Sequence, residues 1–191
     1  MIRVCIAGIT GWTGRALADA VDAAEDLELV SGVARSRVDA RARAANLGVI
    51  AAGNFSLLAA LLARCASEVA RHVDSWEIVD YASAGKPDVP SGTARELAER
   101  LRPPTVERPL VTLQGPVEAR GATVAGTQIH SVRLPSFVVS TEIVFGAPGE
   151  RLVFRHDPGE SPAPYVGGTL LAIRAVAGHV GLTRGLDALL A

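Results

Sequence analysis

The chain opens on a run that is apolar apart from Arg3, from Ile2 to Ala7. Its length and composition predict a strand. Gly8-Ile-Thr-Gly11-Trp-Thr-Gly14 follows, and then Arg15-Ala-Leu-Ala-Asp-Ala-Val, whose apolar residues recur at helical spacing. Residues 27–33 read as a second strand and residues 47–53 as a third. Asn54 and Ser56 supply capping side chains ahead of a long apolar helix that reaches about residue 70. Trp76, Ile78 and Val79 form a short buried strand, and Pro87, Pro90 and Gly92 prevent either regular period from continuing beyond it. Helix resumes near Thr93: Ser91 or Thr93 serves as N-cap, Glu96 completes a capping box with Thr93, and Leu97 and Leu101 give the i, i+4 face.

Beyond Gly126 the period changes to two. Residues 127–133, 137–145 and 151–156, with a turn over Gly146-Ala-Pro-Gly149, predict an antiparallel meander. Val139, Thr141, Ile143 and Phe145 alternate with Ser140, Glu142 and Val144, so the sheet has two unlike faces. A second subunit is a common cover for such a face. Residues 164–180, with Leu170, Leu171, Ile173 and Val176, predict a last helix, followed by a tail over residues 181–190.

Composition narrows the class. With 49% apolar and 20% charged residues in 191, the chain is globular, as one domain or two small ones, and aromatics at 4% imply a core of Ala, Val, Leu and Ile. A net charge of −1 gives no reason to expect nucleic acid or an anionic membrane as partner. Cys5 and Cys65 are expected to be buried thiols of a reducing compartment. The N-terminus shows no signal region, and no apolar run reaches the roughly 18 residues that span a bilayer, so a soluble cytoplasmic protein is expected. His72 and His179 fall at helix ends and His130 and His156 at strands, where the latter two could share a pocket; no metal-ligand spacing appears, and no metal is expected.

Two stretches carry chemistry. Glycines at positions 8, 11 and 14, between a strand and a helix, let the backbone turn tightly against a diphosphate at the helix N-terminus, with Trp12 and Thr13 in the same turn. The spacing is G-x-x-G-x-x-G rather than G-x-G-x-x-G, while the context matches a dinucleotide site. Ala34-Arg35-Ser36-Arg37 follows about twenty residues on, with no carboxylate before Asp39. Arg35 there favours a 2′-phosphate, hence NADPH over NADH. Only three strand candidates precede the departure of the chain, against six in a full dinucleotide fold; either that domain is cut down or a segment between about residues 36 and 47 is missing. The second stretch is the loop after the Trp76 strand, which ends on helix-start amides flanked by two hydroxyls, a receptor for a carboxylate or phosphate. Lys86 is its only cation and the only lysine among 19 basic residues. An ammonium can transfer a proton or act as a point charge, which a guanidinium does less readily.

Lys86-Pro-Asp-Val-Pro-Ser-Gly-Thr-Ala94, after the glycine turn, resembles the dihydrodipicolinate reductase family, and Ala51-Ala-Gly-Asn-Phe-Ser56 resembles its hinge segment. Residues 126–133, 142–146 and 155–157 are similar to its sheet. The resemblance implies an α/β architecture: an abbreviated Rossmann-type nucleotide-binding domain of residues 1–54 and 165–191, and a mixed α+β substrate-binding and tetramerisation domain of residues 55–164. It implies NADPH or NADH donating a hydride to a cyclic dicarboxylate in lysine and diaminopimelate biosynthesis, and a homotetramer. Lys86 takes the role of proton donor or charge, and Ser91, Gly92 and Thr93 bind a substrate carboxylate. The chain departs from the family where a histidine pair precedes the lysine, reading Ala82 and Ser83 instead; Ser83, Tyr81, Lys86 or a water then supplies the proton. It also lacks strands the family carries between the equivalents of Arg35 and Ala51. Two alternatives stand beside this reading: a diverged member reducing another cyclic imine, and a non-catalytic shortened paralogue.

Overall fold

The computed structural model describes residues 1–7, 12–33, 47–101 and 114–190. The chain divides into two compact units, Met1–Ala60 with Ser161–Ala191, and Leu61–Glu160.

In the first unit β1 (Ile2–Ala7) and β2 (Leu27–Val33) pair in parallel, as strands joined through a helix do, and α1 (Trp12–Asp22) is that helix. Strand alternation turns Val4 and Ile6 inward onto Val21, Leu27 and Leu17, with Leu170 and Ile173 of the last helix, Ala163–Val176, completing the cluster. Cys5, between two inward residues, points the other way and is exposed, as is Cys65; the expectation of buried thiols is corrected on both counts. In the tail, β9 (Gly181–Arg184) pairs in parallel with β3 (Gly48–Ala51), Gly48 opposite Gly181. Among the described residues β3 pairs with β9 and not with β2. The last helix serves this second pair through its small residues, with Ala172, Ala60 and Leu186 buried together. A Cβ on Gly168 would overlap the Phe55 carbonyl oxygen and stand 2.6 Å from Leu186 Cδ2, so this close approach requires glycine.

The second unit is a five-stranded sheet in the order β5 (Ala122–Val124), β6 (Thr127–Arg133), β4 (Trp76–Ala82), β7 (Val139–Ala147), β8 (Glu150–His156). The expected meander is corrected here: β4 lies between β6 and β7, parallel to the first and antiparallel to the second. The helix following β4, α3 (Gly92–Arg100), is the crossover that lets β6 return parallel to it. With α2 (Leu57–Val69) it covers one face. Leu97, Ala98 and Leu101 pack there on Trp76, Ile78, Ile129, Ile143 and Phe145, with Leu62, Ala63 and Val69 beside them. The Trp76 indole N–H donates to Thr127 Oγ1 at 3.1 Å, satisfying the polar edge of a side chain 2% exposed. Among the described residues no helix is long and apolar enough to cross a membrane.

Adjacent glycines of the last helix give a paired test. Gly168→Ala forces backbone apart and is expected to cost about 2–4 kcal/mol in urea unfolding. Gly167→Ala, whose Cβ would meet only Leu57 Cδ1 at 3.9 Å, should be neutral or gain up to about 1 kcal/mol from helix propensity.

Candidate functional site

Alternation along β4 sends Trp76, Ile78, Asp80 and Ala82 to the helix-covered face and Glu77, Val79 and Tyr81 to the other. Asp80 is therefore a carboxylate inside the core, 0% exposed. Such a charge survives only among donors. Its Oδ2 accepts from the Ser91 amide at 2.8 Å, the Ser131 hydroxyl at 3.2 Å and Arg133 Nη2 at 2.8 Å. Arg133 Nη2 also donates to the Asp88 carbonyl at 2.8 Å, and Nη1 to the carbonyls of Asp80 and Val132 at 3.0 and 2.9 Å. Removing one member of a pair this deeply buried costs about 3–5 kcal/mol.

The loop is shaped from its own backbone. The Lys86 amide donates to the Ser83 carbonyl at 3.0 Å, a turn that presents the lysine side chain. Lys86 Nζ then lies 2.8 Å from Asp88 Oδ1, both side chains about one-third exposed. That hydrogen bond holds the Asp88 carboxyl below its usual range, partial burial opposing. Ser91, in extended conformation, caps α3: its Oγ accepts the Ala94 amide at 3.2 Å. Of the two candidate caps the helix uses Ser91, because its amide is already fixed to Asp80. The space over the first turn is open, since a Cβ built on Gly92 meets nothing within 4 Å. Ser83, Lys86, Ser91, Gly92 and Thr93 thus share one loop and helix start.

The remaining candidates fall elsewhere. Ala82 is fully buried, while Ser83 is exposed and offers a hydroxyl without a buried environment. Tyr81 points to the opposite face from Asp80, stacked on Phe137 at 5.1 Å and under the Arg155 guanidinium at 4.9 Å. His130 and His156 cannot share a pocket: His130 is in register with Val79 and Glu142, His156 with Thr141 and Asp80, on opposite faces. His130 Nε2 lies 2.7 Å from Glu77 Oε2. Burial would raise the Glu77 carboxyl, yet hydrogen bonds from Arg120 and His130 outweigh it and hold the group low. Arg155 hydrogen-bonds Asp157 at 2.7 Å and thereby lowers that carboxyl. Of the glycine-turn residues, Thr13 is half-buried and Gly14 buried in the first turn of α1; Gly8, Gly11, Arg35 and the Trp12 side chain lie outside the described residues. Among the described residues no cluster of histidine, cysteine and acidic side chains is arranged to hold a metal ion. Asp80, Arg133 and Asp88 escaped the sequence reading, although a carboxylate at an inward position of an apolar alternation is a signal for the first.

Known proteins resemble this chain along most of its length. A family model described as dihydrodipicolinate reductase, C-terminus, matches residues 56–190. The 4-hydroxy-tetrahydrodipicolinate reductase of Corynebacterium diphtheriae is 36% identical over 188 residues, 96% of this chain and 68% of that protein. The enzyme of the same name from Cutibacterium acnes is 32% identical over 244 positions, spanning 100% of this chain and 99% of that protein. Since the chain has 191 residues, that relative carries stretches with no counterpart here. A solved dipicolinate-bound dihydrodipicolinate reductase from Paenisporosarcina sp. TG-14 matches with a TM-score of 0.78 over 100% of both chains, at 24% identity, a likeness of fold.

His156 gives this region a pH signature. Burial lowers its imidazole below 6.5, Asp157 opposing, so the unfolded chain takes up the proton first. Stability is complete above about pH 6.5 and falls as pH drops toward the folded value, by at most about 1.4 kcal/mol per pH unit. Urea unfolding of the protein and of His156→Gln between pH 7.5 and 5.5 checks this, the variant having the flatter profile.

Proposed function

The chain belongs to the dihydrodipicolinate reductase family, and from that premise we propose that it reduces 4-hydroxy-tetrahydrodipicolinate to tetrahydrodipicolinate with NAD(P)H, in lysine and diaminopimelate biosynthesis. The observation that carries this reading is one loop that bears the Lys86 ammonium and ends on the helix start at Gly92, where the position of a Cβ is open, the makings of a cationic, amide-bearing receptor for a carboxylate. In this reading residues 1–54 and 165–191, which fall within the first unit, are the nucleotide-binding domain, and residues 55–164, which include the second, are the substrate-binding and tetramerisation domain of a cytoplasmic homotetramer.

A bound nicotinamide supplies the hydride. Residues of the glycine turn, Gly8, Gly11, Trp12, Thr13 and Gly14, hold its diphosphate; the burial of Gly14 in the first turn of α1 fits the close helix–strand packing such a site needs. Arg35 meets the 2′-phosphate, which makes NADPH the preferred donor. The Ser91 hydroxyl, Gly92 and Thr93 orient one substrate carboxylate, and Lys86 balances the charge of the second. With Ala82 in the core and Tyr81 on the face opposite Asp80, stacked on Phe137, we assign proton delivery to Lys86, Ser83 or a water bound there. The same replacement of the histidine pair favours a second reading, reduction of a different cyclic imine dicarboxylate, which a turnover screen across such imines separates from the first.

Fluorescence titration with NADPH and steady-state turnover test both parts. Lys86→Ala should lower kcat by about a hundredfold while leaving NADPH affinity within about twofold. Gly92→Ala meets no protein atom, so its stability should stay within about 1 kcal/mol, whereas the KM for the dicarboxylate should rise about tenfold as the methyl fills the carboxylate's space. Absence of NADPH binding at millimolar cofactor would leave only a non-catalytic role.

A further inference from the structure

The pairing of Arg133 with Asp80 is not the geometry that binds an arginine to a carboxylate most strongly. A bidentate pair would set two guanidinium N–H groups against both carboxylate oxygens. Here a single oxygen, Oδ2, takes the Ser91 amide, the Ser131 hydroxyl and Arg133 Nη2, while the buried Asp80 Oδ1 and Arg133 Nε have no hydrogen-bond partner among the described residues. What the guanidinium gains by this end-on approach is reach. Its Nη2 also bonds the Asp88 carbonyl, on the residue whose carboxylate holds Lys86 Nζ at 2.8 Å.

Two lines of contact therefore leave one buried pair. Through Asp80 it fixes the Ser91 amide, and with it the residue whose hydroxyl caps Ala94. The Ser91 and Ala94 amides are thereby consumed internally, and Gly92 stands at the helix start with open space where a Cβ would be. Through Asp88 the pair fixes the ammonium. The distance between amide donor and ammonium is thus set from beneath, by side chains that a ligand in the loop does not touch: Asp80 is 0% exposed and the Arg133 side chain 14%.

We propose that Asp80 and Arg133 are positioning residues that set the spacing between the helix-start amide and the Lys86 ammonium, and so make the site selective for a ligand carrying two carboxylates over one carrying a single carboxylate. This rests on the reading of the loop as a carboxylate receptor. Arg133→Lys is the informative variant: a lysine keeps a positive charge beside Asp80 but, as a point charge, cannot span four acceptors.

The experiment measures, for the full chain and for Arg133→Lys, the KM for the dicarboxylate substrate, the KM for NADPH, the melting temperature, and inhibition by pyridine-2,6-dicarboxylate against pyridine-2-carboxylate. The dicarboxylate KM should rise about tenfold or more, and the preference for the two-carboxylate inhibitor should fall by a similar factor, with the NADPH KM within about twofold. If Arg133→Lys does not fold, Ser131→Ala removes one donor from Asp80 Oδ2 and should shift the inhibitor preference the same way, by about threefold. An unchanged inhibitor preference, or a fall in melting temperature that raises both KM values together, overturns the proposal. A parent protein that binds neither inhibitor overturns the carboxylate-receptor reading and this inference with it; a parent that binds them and a variant that discriminates as well as the parent overturns the inference alone.

Discussion

A carboxylate with no exposed surface stands at the end of the central strand of the second unit, and much of that unit's local order follows from the need to satisfy it. Desolvating an ion costs several kcal/mol even after relaxation, so Asp80 is tolerable only where donors arrive together. They come from two segments distant in sequence: Ser91 at the helix start, and Ser131 and Arg133 from β6. The parallel register of β4 and β6, Asp80 opposite Ser131 and Ala82 opposite Arg133, brings the last two into reach. A slip of one residue would turn Arg133 to the other face. The same slip would undo the Trp76 to Thr127 hydrogen bond and the stacking of Ile78 on Ile129 in the core. Apolar packing and the site loop are thus specified by one register, which ties fold stability to site geometry.

The first unit solves a different problem. Two short parallel pairs, each of two strands, cannot bury a face alone, and the last helix serves both. Its large residues, Leu170 and Ile173, go to the β1–β2 cluster, while Ala172 and the glycine at 168 allow the loop at Phe55 and the segment at Leu186 to approach closely. One helix with unlike faces is how the C-terminal stretch of the chain becomes part of a unit begun by the N-terminal one.

What the sequence made legible follows the range of the interactions involved. Local signals served well: the glycine-to-helix transition before α1, the cap before α2, the strand–loop–helix at β4, and the alternation of β7 all depend on neighbours within a few residues. The order of strands did not, because the insertion of β4 between β6 and β7 is decided by a crossover that pattern along the chain does not encode. The cysteines illustrate a signal present and not used: Val4 and Ile6 already claim the inward positions of β1, which leaves Cys5 to the outside. Asp80 is similar, since its parity with Trp76 and Ile78 marks it as inward. Its partners are not legible, because only the folded register brings Arg133 to it. The strand, loop and helix start that carry Lys86 and Ser91 were legible, but the contact of Asp88 with Lys86 is one that spacing alone does not decide.

That contact has a consequence for how a ligand enters. Lys86 and Asp88 are each about one-third exposed, and ion pairs of that kind contribute only about 0–1 kcal/mol. An ammonium left without a partner would sample many rotamers, and ordering it on binding would cost up to about 2 kcal/mol of side-chain entropy. Asp88 removes part of that cost in advance. On the proposed reading, a carboxylate at Gly92 meets a helix start whose dipole and amides act together. Because an ammonium carries three donors, on the proposed reading Lys86 keeps Asp88 while it takes a second carboxylate, the first occupying the helix start.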